Sequence, residues 1–307
     1  MRESPYTSLI DAPTWAFIDA TNAAYPADAI GLDITGQRRV YDAMCAVFRQ
    51  PRPPGVTVTD ERRGGVPTRR YQVGPSQVTV LYFHGGGFVV GGLDSHDDVC
   101  AEACAATGLR MVSADYSLCP EHLHPAAFDD ALSATTAVAA AFGPVILAGD
   151  SAGGALAASV SHALRGRDVR VLGQVLIYPG LGGPMDRGSH VTHAHAPMLT
   201  AQDVHFYRRL RMGRDDPPRD PTAAALDDTN YGGLPPTAIF AAECDPLCDD
   251  APLYRDRILA AGGRATATVE RGLIHGYLRA RHSVPRARDS FARITAALAA
   301  MAEGATP

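Results

Sequence analysis

A serine among small residues, a run of three glycines and a late histidine are the features of this sequence from which chemistry could be built. The serine is Ser151, in Gly149-Asp150-Ser151-Ala152-Gly153. The pentapeptide follows the apolar stretch Val145-Ile146-Leu147-Ala148 and opens an alanine-rich one. A serine on such a strand-to-helix turn is held in strained backbone with its hydroxyl exposed, and the flanking glycines let neighbouring segments come close. Helix N-terminal amides aim at the same spot, where they would stabilise a developing negative charge. The chemistry this suggests is attack on an acyl carbonyl. A serine hydroxyl is a poor nucleophile near neutral pH, so it needs a base within hydrogen-bond reach, and that base needs an orienting carboxylate.

Both partners have candidates downstream. Asp245 follows the apolar run Thr237 to Ala242 and precedes Pro246, and His275 stands in Ile274-His275-Gly276-Tyr277 after a run ending near Val269. The order serine, acid, histidine is one in which such triads occur. Asp249 and Asp250 compete with Asp245, but they stand where the next helix starts and are expected to cap it. His84-Gly85-Gly86-Gly87 follows the apolar run ending at Phe83. Consecutive glycines mark close backbone approach or positive φ, and this loop could aim amides at an oxyanion, with His84 holding it in place rather than acting as the base. The run His190-x-x-His193-x-His195 could in principle bind a metal, but no carboxylate at ligand spacing accompanies it, so solvated imidazoles are expected and no metal. His96, His122, His124, His162, His205 and His282 show no partner in the sequence. Cys100 and Cys104, and Cys244 and Cys248, do not have the spacing of a zinc knuckle, and the six cysteines are read as reduced and mostly buried.

These residues need a scaffold, and the chain supplies a pattern for one. Val56 and Val58, then Tyr71 and Val73, alternate with polar residues around Gly64-Gly65, which predicts a β-hairpin. Strands are predicted at Val78 to Phe83, Arg110 to Ala114, Val145 to Ala148, Leu172 to Ile177, Thr237 to Ala242 and Ala265 to Val269. Helices are predicted at 96–107, 126–141, 152–165, 249–261 and 286–301, the last with Phe291, Ile294, Leu298 and Met301 on one face. Strands alternating with helices imply an α/β fold with a mostly parallel central sheet flanked by helices. Residues 1–50 read as helical and end at Pro51, Pro53 and Pro54. Residues 183–234, rich in Gly, Pro, Asp and His around a helical piece at Ala201 to Met212, interrupt the rhythm as a lid over the sheet's carboxyl edge would. The division expected is 1–50 as N-terminal cap helices, 51–182 with 235–307 as the catalytic domain, and 183–234 as a cap insertion.

The chain of 307 residues has a formal net charge of −5 and no block of Lys or Arg, which disfavours nucleic acid as a partner. Its apolar runs are too short to span a bilayer, and the mixed-charge start with Pro5 lacks the apolar core of a secretory signal, so a cytoplasmic protein with no membrane partner is expected.

Taken together, the motifs resemble those of the bacterial hormone-sensitive-lipase-like esterases, a branch of the α/β-hydrolase superfamily. The resemblance runs from about residue 75 onward. It rests on His84-Gly85-Gly86-Gly87-Phe88, Gly91-Gly92-Leu93-Asp94-Ser95-His96-Asp97, Asp115-Tyr116-Ser117-Leu118-Cys119-Pro120-Glu121, Gly149-Asp150-Ser151-Ala152-Gly153-Gly154, Asp245-Pro246-Leu247 and His275-Gly276. It implies an α/β-hydrolase fold with a helical cap and a serine carboxylesterase that hydrolyses small to medium acyl esters through an acyl-enzyme, without a cofactor. It also implies the amides of Gly86, Gly87 and Ala152 as the oxyanion hole, and a homodimer, since members often dimerise. Phe88 and Tyr277 become candidates for the pocket wall, the family commonly having phenylalanine at the position of Tyr277. Ser117 and Cys119 depart from the arginine and alanine usual there, at positions without a catalytic role. Plant gibberellin receptors resemble the same family but lack the catalytic histidine, which this chain retains. The triad residues alone leave an amidase or peptidase open.

Overall fold

The alternation of apolar and polar residues over Thr57–Arg63 (β1) and Val66–Gln72 (β2) forms the hairpin that the sequence predicts, with Gly64 and Gly65 both at positive φ in its turn. The computed structural model describes residues 5–25 and 31–305; the first four residues of the mixed-charge start, residues 26–30 of the N-terminal helical stretch, and residues 306–307 lie outside the described residues. The later strands are β3 (Thr79–Phe83), β4 (Arg110–Ala114), β5 (Val145–Asp150), β6 (Val171–Ile177), β7 (Thr237–Cys244) and β8 (Ala265–Ile274). They join the hairpin in one eight-stranded sheet of order β1-β2-β4-β3-β5-β6-β7-β8. The β1–β2 and β2–β4 pairs are antiparallel, and every other pair is parallel.

The parallel strands are buried on both faces, so their side chains alternate between two cores. Leu81 and Phe83 of β3 enter one core while Val80 and Tyr82 enter the other, and in β5 Val145 and Leu147 part in the same way from Ile146 and Ala148. The N-terminal stretch resolves into two helices, α1 (Ala12–Ala24) and α2 (Ile34–Phe48), each started by an aspartate, Asp11 or Asp33, that accepts a backbone N–H from the first turn. The remaining helices are α3 (Asp97–Thr107), α4 (Ala126–Phe142), α5 (Ala152–Leu164), the single turn α6 (Ser189–Thr192), α7 (Ala201–Met212), α8 (Asp250–Ala260) and α9 (Pro285–Ala302). Side chains of α2, α4, α5 and α8 fill one core, and those of α1, α3 and α9 the other. On α9 the predicted apolar stripe is realised, with Ile294, Leu298 and Met301 buried. No helix among the described residues is long and apolar enough to cross a membrane.

Two features of the topology position the site. The chain passes from β3 to β4 on one side and then returns across β3 to β5 on the other. Where an α/β sheet reverses direction in this way, the loops at the carboxyl ends of the two central strands diverge and leave a crevice. Those loops carry His84–Gly87 and Ser151. The second feature is a departure from the sequence reading: β8 continues past Val269 to Ile274. Register shifts between Ala242 and Cys244 of β7, which pair with Glu270 and Ile274 of β8. Gly272, at φ +67°, absorbs the extra residues, and its amide donates to the Glu243 carboxylate at 2.6 Å. Such an irregularity bends its strand and re-aims the side chains beyond it. Because Cys244 and Ile274 pair, the next residue on each strand, Asp245 and His275, leaves the sheet beside the other.

Candidate active site

Ser151 occupies the tight turn between β5 and α5 with φ 53° and ψ −118°, a region L-residues avoid. Surroundings enforce this conformation, at a cost of roughly 1–3 kcal/mol. Its amide donates to the Ile177 carbonyl of β6 at 2.9 Å. At Gly153 a Cβ would fall 1.9 Å from the Phe83 carbonyl oxygen, so only glycine lets α5 start this close to β3. The turn thus presents the serine hydroxyl at the mouth of the crevice.

The imidazole of His275 spans the gap between the two polar partners. Its Nε2 lies 2.8 Å from Ser151 Oγ, and its Nδ1 lies 2.6 Å from Asp245 Oδ2. Asp245 is 1% exposed, and its other oxygen accepts the Leu247 amide at 2.9 Å, which fixes the carboxylate plane. An ionised carboxylate only accepts, so Nδ1 carries the proton and donates to it, leaving the Nε2 lone pair for the serine hydroxyl. Tyr178 packs against the ring with centroids 4.8 Å apart and holds its tilt. The three residues that the sequence proposes are therefore in one hydrogen-bonded line.

The glycine loop lies across from them. Gly86 and Gly87 both take positive φ, 123° and 61°. Among the described residues the amides of Gly86, Gly87 and Ala152 are paired with no acceptor, while the Gly86 carbonyl accepts from Val89 and Val90. A residue that the sequence reading passes over fastens this loop. Asp150, 2% exposed, accepts the Gly85 amide at 2.9 Å and the Tyr82 hydroxyl at 2.8 Å, with His96 Nε2 at 3.3 Å. Burial alone would raise the Asp150 carboxyl, but His96, Arg279 and the Tyr82 hydroxyl together hold it well below the usual carboxylate range. His84 is fully buried, with its Nδ1–H donating to the Gly85 carbonyl at 2.7 Å. Burial, and next the neighbouring His96, push its imidazole down to about 4, so the ring stays neutral and holds the loop.

Above these groups lies a cavity of about 610 Å³ whose wall includes Ser151, Gly87, Phe88 and Ala152. Residues from the 183–234 stretch form much of its roof, including Met185, Leu199 and Tyr207. Tyr207 sits so close to Gly87 that a Cβ there would meet its ring at 2.6 Å.

Several expectations are corrected. Tyr277 does not line the cavity: it is fully buried beneath the site, edge-on to Tyr178, and its hydroxyl accepts from Ser290 at 2.9 Å. Asp249 stands at the N-cap of α8 and Asp250 in its first turn, as expected, but neither side chain makes a capping hydrogen bond to that helix. Their carboxylates accept backbone N–H groups of Ser189 and Leu181, at 2.8 and 2.7 Å, and so tie the 181–189 segment to the start of that helix. The histidine run is not uniformly solvated, because His190 is buried in the cavity wall against His205, while His193 packs on Tyr6 and His195 is exposed. Among the described residues no three His, Cys, Asp or Glu side chains gather as a metal site. Four of the six histidines without an evident partner in the sequence meet a carboxylate in the fold: Asp150 for His96, Asp220 for His124, Asp228 for His162 and Glu102 for His282. The six cysteines are free, with all but Cys248 buried.

Comparison with known proteins places this geometry in a family. Residues 80–279 match the family described as having the alpha/beta hydrolase fold. The chain is 36% identical over 276 residues to Esterase LipI of Mycobacterium tuberculosis (strain ATCC 25618 / H37Rv), spanning 83% of this chain and 86% of that protein. It is 31% identical over 272 residues to an acetyl esterase of Salmonella choleraesuis (strain SC-B67), spanning 83% and 82%. Among solved structures, a hyperthermophilic esterase from the archaeon Pyrobaculum calidifontis superposes with a TM-score of 0.85 at 29% identity, covering 96% of this chain and 99% of that one. The chain belongs to the α/β-hydrolase fold family, among its hormone-sensitive-lipase-like carboxylic ester hydrolases.

Proposed function

We propose that this protein hydrolyses small to medium acyl esters through a Ser151–His275–Asp245 triad and an acyl-enzyme intermediate. The observation that carries the reading is the unbroken chain from Asp245 Oδ2 through His275 to Ser151 Oγ, with links of 2.6 and 2.8 Å, opening on one cavity. His275 Nε2 takes the hydroxyl proton as Ser151 Oγ bonds to the ester carbonyl carbon. Asp245 stabilises the imidazolium without becoming protonated. The oxyanion meets the amides of Gly86, Gly87 and Ala152, aided by the N-terminus of α5. His275 then gives its proton to the leaving alcohol. Water, deprotonated by the same imidazole, attacks the acyl-enzyme and frees the acid and the serine.

The cap role of residues 1–50 and 183–234 belongs to the same proposal, with Tyr207 roofing the glycine loop and Phe88 in the acyl pocket wall. Replacing Ser151 by alanine should lower kcat for a p-nitrophenyl ester by about 10⁴-fold or more while leaving the fold intact. Near-normal turnover in that variant overturns the assignment. A series of esters from acetyl to palmitoyl should peak at short or medium chains; a maximum at palmitoyl overturns the size limit. Matched ester and anilide substrates separate esterase from amidase action, with the ester expected to be the faster.

A further inference from the structure

Among the described residues, one charge in the cavity wall has no carboxylate in direct contact with it. Arg211, on the last turn of α7, is 8% exposed and lies in the wall that also holds Ser151 and Gly87. Its guanidinium stacks over the Phe88 ring, 3.7 Å from the centroid. One nitrogen donates to the Ala223 carbonyl at 2.8 Å, and another faces His124 Nδ1 at 3.4 Å. Nε is buried and paired with nothing. The His124 ring in turn has its Nε2 3.0 Å from Asp220. Burial, and next Arg211 itself, push the His124 imidazole down, against the pull of Asp220. Removing a cation from water without a paired anion costs several kcal/mol.

The rest of the wall adds to the positive field. Arg208 and Arg257 also line the cavity, and among the described residues neither has a carboxylate partner. Of the wall's carboxylates, Asp250 is already occupied by backbone amides, Asp227 accepts the Asp220 amide and lies 4.0 Å from Arg219, and Asp186 lies 3.8 Å from Arg187. A guanidinium presents five N–H donors in a planar fork that matches a carboxylate, and Arg211 spends only two of them.

Position sets the reach. Tyr207 and Arg211 lie one turn apart on the same face of α7, about 6 Å along the axis. Tyr207 covers Gly87 and Arg211 covers the adjoining Phe88, so Arg211 lines the same cavity as Ser151 on the side of the glycine loop.

Building on the esterase reading, we propose that Arg211 binds a free carboxylate on the substrate, so that the preferred esters are half-esters of short dicarboxylic acids. The test compares monomethyl glutarate with methyl valerate, which has a methyl group in place of the free carboxylate, by titrating released acid at pH 8. The wild-type kcat/KM should favour the half-ester. Arg211→Met should lower the ratio of the two by about 30-fold or more, the size expected for a lost buried charge pair, and Arg211→Lys should fall between. A wild-type preference for methyl valerate, or a ratio that neither substitution moves, overturns the proposal. Binding keeps the two readings apart. In Ser151→Ala, glutarate should raise Tm, and Arg211→Lys or Arg211→Met in that background should reduce or abolish the rise. Glutarate binding through Arg211 without turnover of either ester would sink the esterase mechanism and leave this site standing. Turnover of methyl valerate without any glutarate binding would do the reverse.

Discussion

In the proposed mechanism a hydroxyl 2.8 Å from an imidazole nitrogen reacts only if the oxyanion it creates is met at once, so the groups that aim the glycine loop matter as much as the proposed triad. Asp150 is the main such group, since one carboxylate oxygen takes both the Gly85 amide and the Tyr82 hydroxyl. Asp150→Asn turns an acceptor toward these donors into a mixed amide and loosens the loop without touching substrate. The expected result on a short p-nitrophenyl ester is a kcat lowered by about 10- to 100-fold with KM changed less than about threefold. A rise in KM with kcat intact would instead place Asp150 in substrate binding. Tyr277 makes the opposite case. Since it only receives a hydrogen bond from Ser290 beneath the site, Tyr277→Phe should cost about 1 kcal/mol in urea unfolding and leave kcat/KM for short esters within about threefold. A large change in acyl-chain preference would return it to the pocket wall.

At the scale of elements, the contact between α5 and β3 sets the height of the serine. Gly153→Ala puts a methyl where the Phe83 carbonyl already is, so α5 must shift, at about 3 kcal/mol or more of stability, and kcat should fall with it. Parallel urea melts and kinetics check this; a stable, fully active variant would refute the packing argument. The same contrast explains what the sequence discloses. Ser151 and the glycine loop are legible because their signal is local, a strand, a turn and a helix start written in contiguous residues. Asp245 and His275 are legible from their order, although β8 continues past Val269 through the irregularity at Gly272, which no periodicity announces. The partners of His96, His124, His162 and His282 are not legible, since each pairing joins residues that only the tertiary fold brings together. Asp249 and Asp250 mislead for the same reason: a helix start offers them a capping role, and a distant loop offers more donors.

For the molecule as a whole, Asp250 makes stability depend on pH. Burial pushes its carboxyl up to about 7, even though backbone amides of Leu181, Gly183 and Gly182 pull the other way. An unfolded aspartate titrates near 3.9, so between about pH 4 and 7 the folded chain holds a proton that the unfolded chain has lost. A raised carboxyl stabilises fully below the unfolded value, and that contribution is lost as pH rises through 7. Asp250→Asn cannot ionise. Its Tm relative to wild type should therefore climb from pH 5 to pH 8, and a pH-independent difference would show that the carboxyl does not titrate in this range.

The strand tips that hold Ser151, Asp245 and His275 belong to the twice-covered sheet, whereas much of the chamber's ceiling comes from a single excursion, residues 183–234, hung outside it. Under the proposed mechanism, reaction and appetite can therefore be altered separately. On that reading, replacement of ceiling side chains redirects which molecules are admitted while the proposed triad, braced by the sheet, stays as it is.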